Sequence, residues 1–190
     1  MTHPERPDSL GPSRSLSARD LDRFNQSVLP HLDSAHNLAR HLLRDGHDAE
    51  DAVQDAFVRA IRHFDGFRGG DGRAWLLSIV RNTCLTRLRG RRASGEIVEF
   101  DETIHTADDA AAGPEEALAR QAATESLREA LDRLAVEFRE VLVLRELEGL
   151  SYKEIAQVSG VPIGTVMSRL ARGRKQLLQA LGADGPKENG

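Results

Sequence analysis

The segment Ser151–Lys175, SYKEIAQVSGVPIGTVMSRLARGRK, constrains this chain more than any other. Its pattern is a short helix, a tight turn and a second helix. Ser159-Gly160 closes the first helix. Pro162 suits the first turn of the second, where its missing N–H is not needed. That second helix carries Arg169, Arg172, Arg174 and Lys175. A basic helix held across a shorter one is the geometry that lays side chains in a DNA major groove. The same spacing also fits a plain helical hairpin with a solvated basic face, so the segment alone leaves both open.

Composition narrows the rest. Of 190 residues, 29% are charged and only 4% aromatic, which favours helices packed on Leu, Ala, Val and Ile. The net charge of −4 is unexpected for a partner of nucleic acid, but the charge is segregated. Residues 81–92 hold Arg81, Arg87, Arg89, Arg91 and Arg92 and no acid, whereas residues 96–116 hold eight acids and no Lys or Arg. Local patches, not net charge, set the field that a polyanion meets. Cys84 is the only cysteine, which excludes an intramolecular disulfide and a cysteine-based zinc site; its apolar helical setting predicts a buried thiol. Neither a secretory signal nor a membrane-spanning run is visible, so a cytoplasmic protein without membrane insertion is expected.

The fold class expected is all-α, with two helical blocks and a flexible acidic linker. Residues 1–17 read as a disordered tail, 18–92 as the first block, 93–113 as the linker, 114–182 as the second block and 183–190 as a second tail. A first helix is expected over about 18–44, with Leu21, Phe24, Val28, Leu32, Leu38 and Leu42 facing a core and Pro30 kinking or splitting it. A second helix starts with Asp48 as its N-cap and repeats apolar residues from Ala49 to Phe64 at i, i+3, i+4 spacing. Its other face carries Asp51, Gln54 and Asp55. Four glycines within 65–72 make an irregular loop, and a third helix follows over about 73–90. Leu118, Leu127, Leu131, Leu134, Phe138 and Val141 supply a separate second core.

Two stretches resemble one family. AEDAVQDAFVRA (49–60), FDGFR (64–68) and WLLSIVRN (75–82) are similar to region 2 of bacterial sigma factors of the sigma-70 family, most nearly the extracytoplasmic-function type. LEGLSYKEIA (147–156) with GTVMSRLARGR (164–174) resembles region 4. Both occur in the family's order, with a variable linker between them. The resemblance implies an alternative sigma factor that binds core RNA polymerase, recognises minus-thirty-five and minus-ten promoter elements and helps to melt promoter DNA. It implies no cofactor, no catalysis and no metal. The scattered His31, His36, His41, His47 and His63 agree, lacking ligand spacing. An anti-sigma factor and a stress-responsive regulon are implied as well.

By position, the resemblance assigns Asp51, Gln54 and Asp55 to polymerase docking, where carboxylates and an amide can meet arginines. The glycine loop lets backbone approach an extruded base. Phe64, Phe67 and Arg68 surround it, and Asn82 matches a position that reads the non-template strand. Trp75 has two readings, a base-stacking ring or a core residue. Arg81, Arg87, Arg89 and Arg91 are expected on phosphates, which give affinity and salt dependence. In the second block, Lys153, Thr165, Met167, Ser168, Arg169, Arg172, Arg174 and Lys175 are assigned to the minus-thirty-five element. Either Arg169 or Arg172 can be bidentate to guanine, Lys153 holds backbone, and Arg174 and Lys175 anchor phosphates. Met167 departs from the polar or basic residue common there. A sigma-like decoy without DNA binding does not need these basic residues. A LuxR-like regulator explains the helix-turn-helix but not the Asp51/Gln54/Asp55 face.

Overall fold

The computed structural model describes residues 17–95 and 113–183. Among them there is no strand, as the sequence predicts. The linker lies outside these residues except at its ends, as do residues 1–16 and 184–190.

The first block is α1 (Ala18–Ser27), α2 (Leu32–Leu43), α3 (Gly46–His63) and α4 (Gly72–Ser94). Pro30 does split the first expected helix. It sits in a 3-10 turn, Leu29–His31, because it has no N–H to continue the ladder. Arg44 ends α2 in the left-handed region at φ 66°, and Asp45 rather than Asp48 caps α3. The Asp45 carboxylate accepts the N–H of Asp48 at 2.7 Å, so the helix opens three residues earlier than the apolar pattern suggests. Asp71 caps α4 through the N–H groups of Arg73 and Ala74. That helix runs on to Ser94, two residues into the expected linker.

The second block is α5 (Pro114–Asp132), α6 (Val136–Leu142), α7 (Tyr152–Ser159) and α8 (Ile163–Ala183). A π-helical turn, Val143–Leu147, extends α6. Ser151 and Glu154 form a reciprocal capping box at the start of α7. Gly160, at φ 66°, makes the left-handed turn between α7 and α8, which glycine adopts without steric cost. The carbonyl of Pro162 accepts the first bond of α8, from Val166.

Two expectations about packing fail. Leu21, Leu32, Ile61, Leu118 and Leu127 are not core but exposed. Helical periodicity marks an apolar face without saying how much of it a neighbour covers. The cores are not separate either. Leu38, Leu42, Leu76 and Val80 of the first block join Val141, Leu144, Ile155 and Val158 of the second in one cluster. The contacts run between α4 and α7 and between α2 and α6. Arg139 crosses the same boundary, donating to the carbonyl of Leu42 at 3.3 Å, and burial pulls its guanidinium down to about 10. Cys84 is fully buried, and burial pushes its thiol up to about 12, which keeps it protonated and unreactive.

Gly72 sits where the first turn of α4 meets the end of α1. A Cβ there would lie 2.0 Å from the carbonyl oxygen of Ser27. Gly72→Ala should therefore cost about 1–3 kcal/mol and lower the melting temperature by roughly 3–10 °C. A thermal melt followed by circular dichroism checks this; an unchanged midpoint contradicts the close approach.

Candidate nucleic-acid interface

The aromatic residues expected around the glycine loop form a stack that closes inward. Phe64 is 1% exposed and lies edge-on to Phe24 at 5.2 Å and to Trp75 at 6.0 Å. Phe67 stacks on Phe64 at 5.5 Å and is 7% exposed. Arg23 covers the outer side of Phe64 and donates to the carbonyl of Phe67. Phe64 and Phe67, expected around the loop among the minus-ten residues, are buried here, and their rings hold α1, α4 and the loop together. Aromatic burial was the stronger force, because a single ring buries 150–250 Å². Trp75 is partly buried. It packs against Phe67 at 5.1 Å and also lines a cleft of about 360 Å³ with Arg68, Gly69, Gly70 and Ser78. Gln157, from α7 of the second block, lines the same cleft.

The arginines of α4 divide into engaged and free groups. Arg87 reaches Asp55 at 2.6 Å, with Asp51 at 3.8 Å and Asp48 at 4.0 Å. Arg91 pairs with Asp48. The acids recur along α3 at i, i+3 and i+7, opposite arginines at i and i+4 of α4, so charge matching draws them together. Arg81 turns away from the surface. Its Nε donates to Glu140 Oε1 of α6 at 2.7 Å and its Nη2 to Oε2 at 3.4 Å. In this arrangement Arg81, Arg87 and Arg91, expected on phosphates, are each engaged by carboxylates. Arg89 is exposed, as is Asn82, whose Oδ1 accepts from Arg81. Burial raises the Glu140 carboxyl above its usual range, and Arg81 offsets this in part.

Along α3, Asp51, Gln54 and Asp55 are exposed, and the same stripe continues through Val58, 46% exposed, and Ile61, 42% exposed. Sequence reasoning placed Ile61 in the core and passed over Val58. The available signal was the spacing 51, 54, 55, 58, 61, which is one helical face. A polar start with an apolar continuation is a surface suited to a protein partner.

On α8, Gly164, Met167, Ser168, Ala171, Arg172 and Lys175 share one exposed stripe. Lys153 of α7 is also exposed. Thr165 and Arg169 are half-buried. Arg174 points elsewhere, making two bonds to Glu146 at 2.8 and 3.0 Å. Both partners are about half exposed, so this pair is worth at most about 1 kcal/mol and is readily exchanged for a phosphate. Among the described residues no group of three or more potential metal ligands occurs, and no helix is long and apolar enough to cross a membrane.

Residues 28–94 match the model of Sigma-70 region 2, and residues 124–177 that of Sigma-70 region 4. The chain is similar to the sigma-H factor of Pseudomonas aeruginosa, with 35% identity over 170 residues, covering 85% of this chain and 88% of that one. This decides the family. The chain is an extracytoplasmic-function sigma factor of the sigma-70 family. It is also 38% identical over 155 residues to the ECF sigma factor SigE of Mycolicibacterium smegmatis, covering 81% of this chain but 60% of that relative. The sigma factor RpoE of Bartonella quintana, solved in complex with the anti-sigma factor NepR, has a similar fold. Its TM-score is 0.71 at 29% identity, covering 86% of this sigma factor and 99% of that chain. Promoter recognition and initiation of transcription with RNA polymerase are the activity of the family to which this sigma factor belongs.

Because Phe64 is core, Phe64→Ala should lower stability by about 3–5 kcal/mol, as other buried aromatic truncations do. Trp75→Leu keeps apolar bulk and should cost less. Denaturant titration of both variants distinguishes these outcomes; equal, small losses contradict the stacked cluster.

Proposed function

We propose that this sigma factor docks on core RNA polymerase through the α3 stripe Asp51, Gln54, Asp55, Val58 and Ile61. The observation that carries this is an exposed helical face mixing carboxylates with two large aliphatic side chains. Arg87 holds Asp51 and Asp55 in register, and the carboxylates keep lone pairs free for arginines of a partner. The cleft at the glycine loop, with Trp75, Arg68 and the nearby Asn82, is the place for an unstacked base of the minus-ten element. Such a pocket must return the few kcal/mol that unstacking costs. Arg89 contributes a phosphate contact.

The minus-thirty-five element is read by the stripe Met167, Ser168, Arg172 and Lys175, with Lys153 and Arg174 on the backbone. Arg172 is the exposed arginine of this face and so the better candidate for a bidentate guanine contact, which is worth roughly 1–3 kcal/mol. Met167, 54% exposed, offers an apolar surface to a thymine methyl. The protein adds no catalytic group to the polymerase and works in the cytoplasm. Likeness to a sigma factor solved with an anti-sigma factor supports control by such an inhibitor, and with it a stress-responsive set of genes.

Transcription reconstituted from this protein, core polymerase and fragments of the host genome tests the reading. Promoter-specific transcripts are expected. Val58→Glu should weaken association with core polymerase at least tenfold while leaving DNA binding intact. Arg172→Ala should lower use of the upstream element more than general DNA affinity, whereas Arg89→Ala should weaken binding evenly and flatten its salt dependence. The absence of any promoter-specific transcript would refute the proposal.

A further inference from the structure

Five arginines line one cleft of about 420 Å³: Arg44 at the end of α2, Arg91 and Arg92 in the last turn of α4, Arg133 at the end of α5 and Arg139 on α6. No residue of α3 or α8 lines it, so it is separate from the surfaces proposed for polymerase and for the minus-thirty-five element. Leu88, Leu134 and Val136 give it apolar walls.

The carboxylates beside this cleft do not match its arginines. Arg91 is taken up by Asp48. Asp132 is shared among three guanidiniums, with Arg139 at 3.4 Å, Arg44 at 3.5 Å and Arg128 at 3.7 Å. Arg92 and Arg133 are exposed and stand at the rim. Arg139 is 3% exposed, yet its bonds are long, 3.3 Å to the carbonyls of Asp132 and Leu42. Its Nε and that of Arg44 are buried without a hydrogen-bond partner among the described residues. Folded proteins leave few buried donors in that state, and two on neighbouring cations call for an anion. Burial and then the charge of Arg44 pull Arg139 down, as expected where positive charge outnumbers negative.

Phosphate suits this set. Guanidinium forks meet phosphate oxygens through paired hydrogen bonds, and several forks around one cleft suit a chain of phosphates. The volume lies within the range of about 300–1,000 Å³ that small-ligand sites occupy. Apolar walls do nothing for bare phosphate, but they can cover the flat face of a base. We propose that this cleft binds a nucleoside polyphosphate, with Arg44, Arg92, Arg133 and Arg139 on its phosphates and Leu88, Leu134 and Val136 against its base. The residues come from four separate helices, so only the folded chain presents the site, and the ligand stabilises the fold.

Calorimetric titration of the full chain with ATP and, separately, with GTP tests this, at about 0.1 M salt to screen exposed charge. At least one of the two should bind once per chain, about tenfold more tightly than its nucleoside or tripolyphosphate, and should raise the melting temperature. Arg92→Gln combined with Arg133→Gln should weaken that binding about tenfold. Both side chains are exposed, so the fold is kept. Arg59→Gln combined with Arg62→Gln removes the same charge from exposed positions of α3 and should weaken it less than about threefold. Equal losses from the two pairs overturn the proposal, because the nucleotide would then be answering net charge alone. Tripolyphosphate binding as tightly as the nucleotide overturns it, because the apolar walls would then have no ligand to cover. No binding of either nucleotide also overturns it, and is the result expected if the chain's own acids within residues 96–112 fill the cleft. A single-stranded DNA decamer that displaces the nucleotide and binds more tightly overturns it as well, in favour of a nucleic-acid path.

Discussion

The pair between Arg81 and Glu140 is the contact on which the placement of the two blocks depends. An ionised carboxylate removed from water loses several kcal/mol of solvation, which the protein must return through well-aligned donors. Glu140 sits on α6 of the second block, yet its donor comes from α4 of the first, 59 positions away in the chain. Removing one partner of such a pair costs about 3–5 kcal/mol, because it strands the other in the interior. The apolar cluster beneath supplies attraction but little direction. Direction comes from the polar contacts that cross the boundary: Arg81 with Glu140, Arg73 and Asn37 with Glu148, and Arg139 with the carbonyl of Leu42.

The same charges explain how a chain of net charge −4 presents basic surfaces. Acids of α3 are set against arginines of α4, and acids of the second block hold arginines of the first. What stays exposed is sorted by helix face. Carboxylates with aliphatic neighbours line α3, and Arg172, Lys175 and Lys153 line the helix-turn-helix. One surface suits a protein, the other a polyanion, and both follow from which neighbour each helix buries.

Much of this was legible in the sequence where the signal is local. Ser151 and Glu154 announce a capping box, Gly160 a left-handed turn, and the repeat from Ala49 to Ala60 one buried face of α3. Motif order also identified the two blocks. Signals that depend on distant residues were not legible. Phe64 and Phe67 flank the glycine loop in the sequence, but nothing local says that Phe24 and Trp75 fold against them. Arg81, Arg87 and Arg91 read as one basic cluster, yet packing sets Arg81 on Glu140 of α6 and Arg87 and Arg91 on acids of α3. Val58 and Ile61 obey helical periodicity, but nothing nearby in the sequence says that no helix covers them. The shared core was hidden for the same reason, since the periodicity of each block is satisfied whether or not the blocks touch.

A distance between the blocks, measured in the free protein, tests most directly the central claim that they share one core. Spin labels at Arg62→Cys and Gln176→Cys report it, because both positions are exposed and the native Cys84 is buried and unreactive. The free protein should show one distance below about 40 Å, the width of a compact body of this size. A long, broad distance in the free protein would contradict two blocks placed by one shared core.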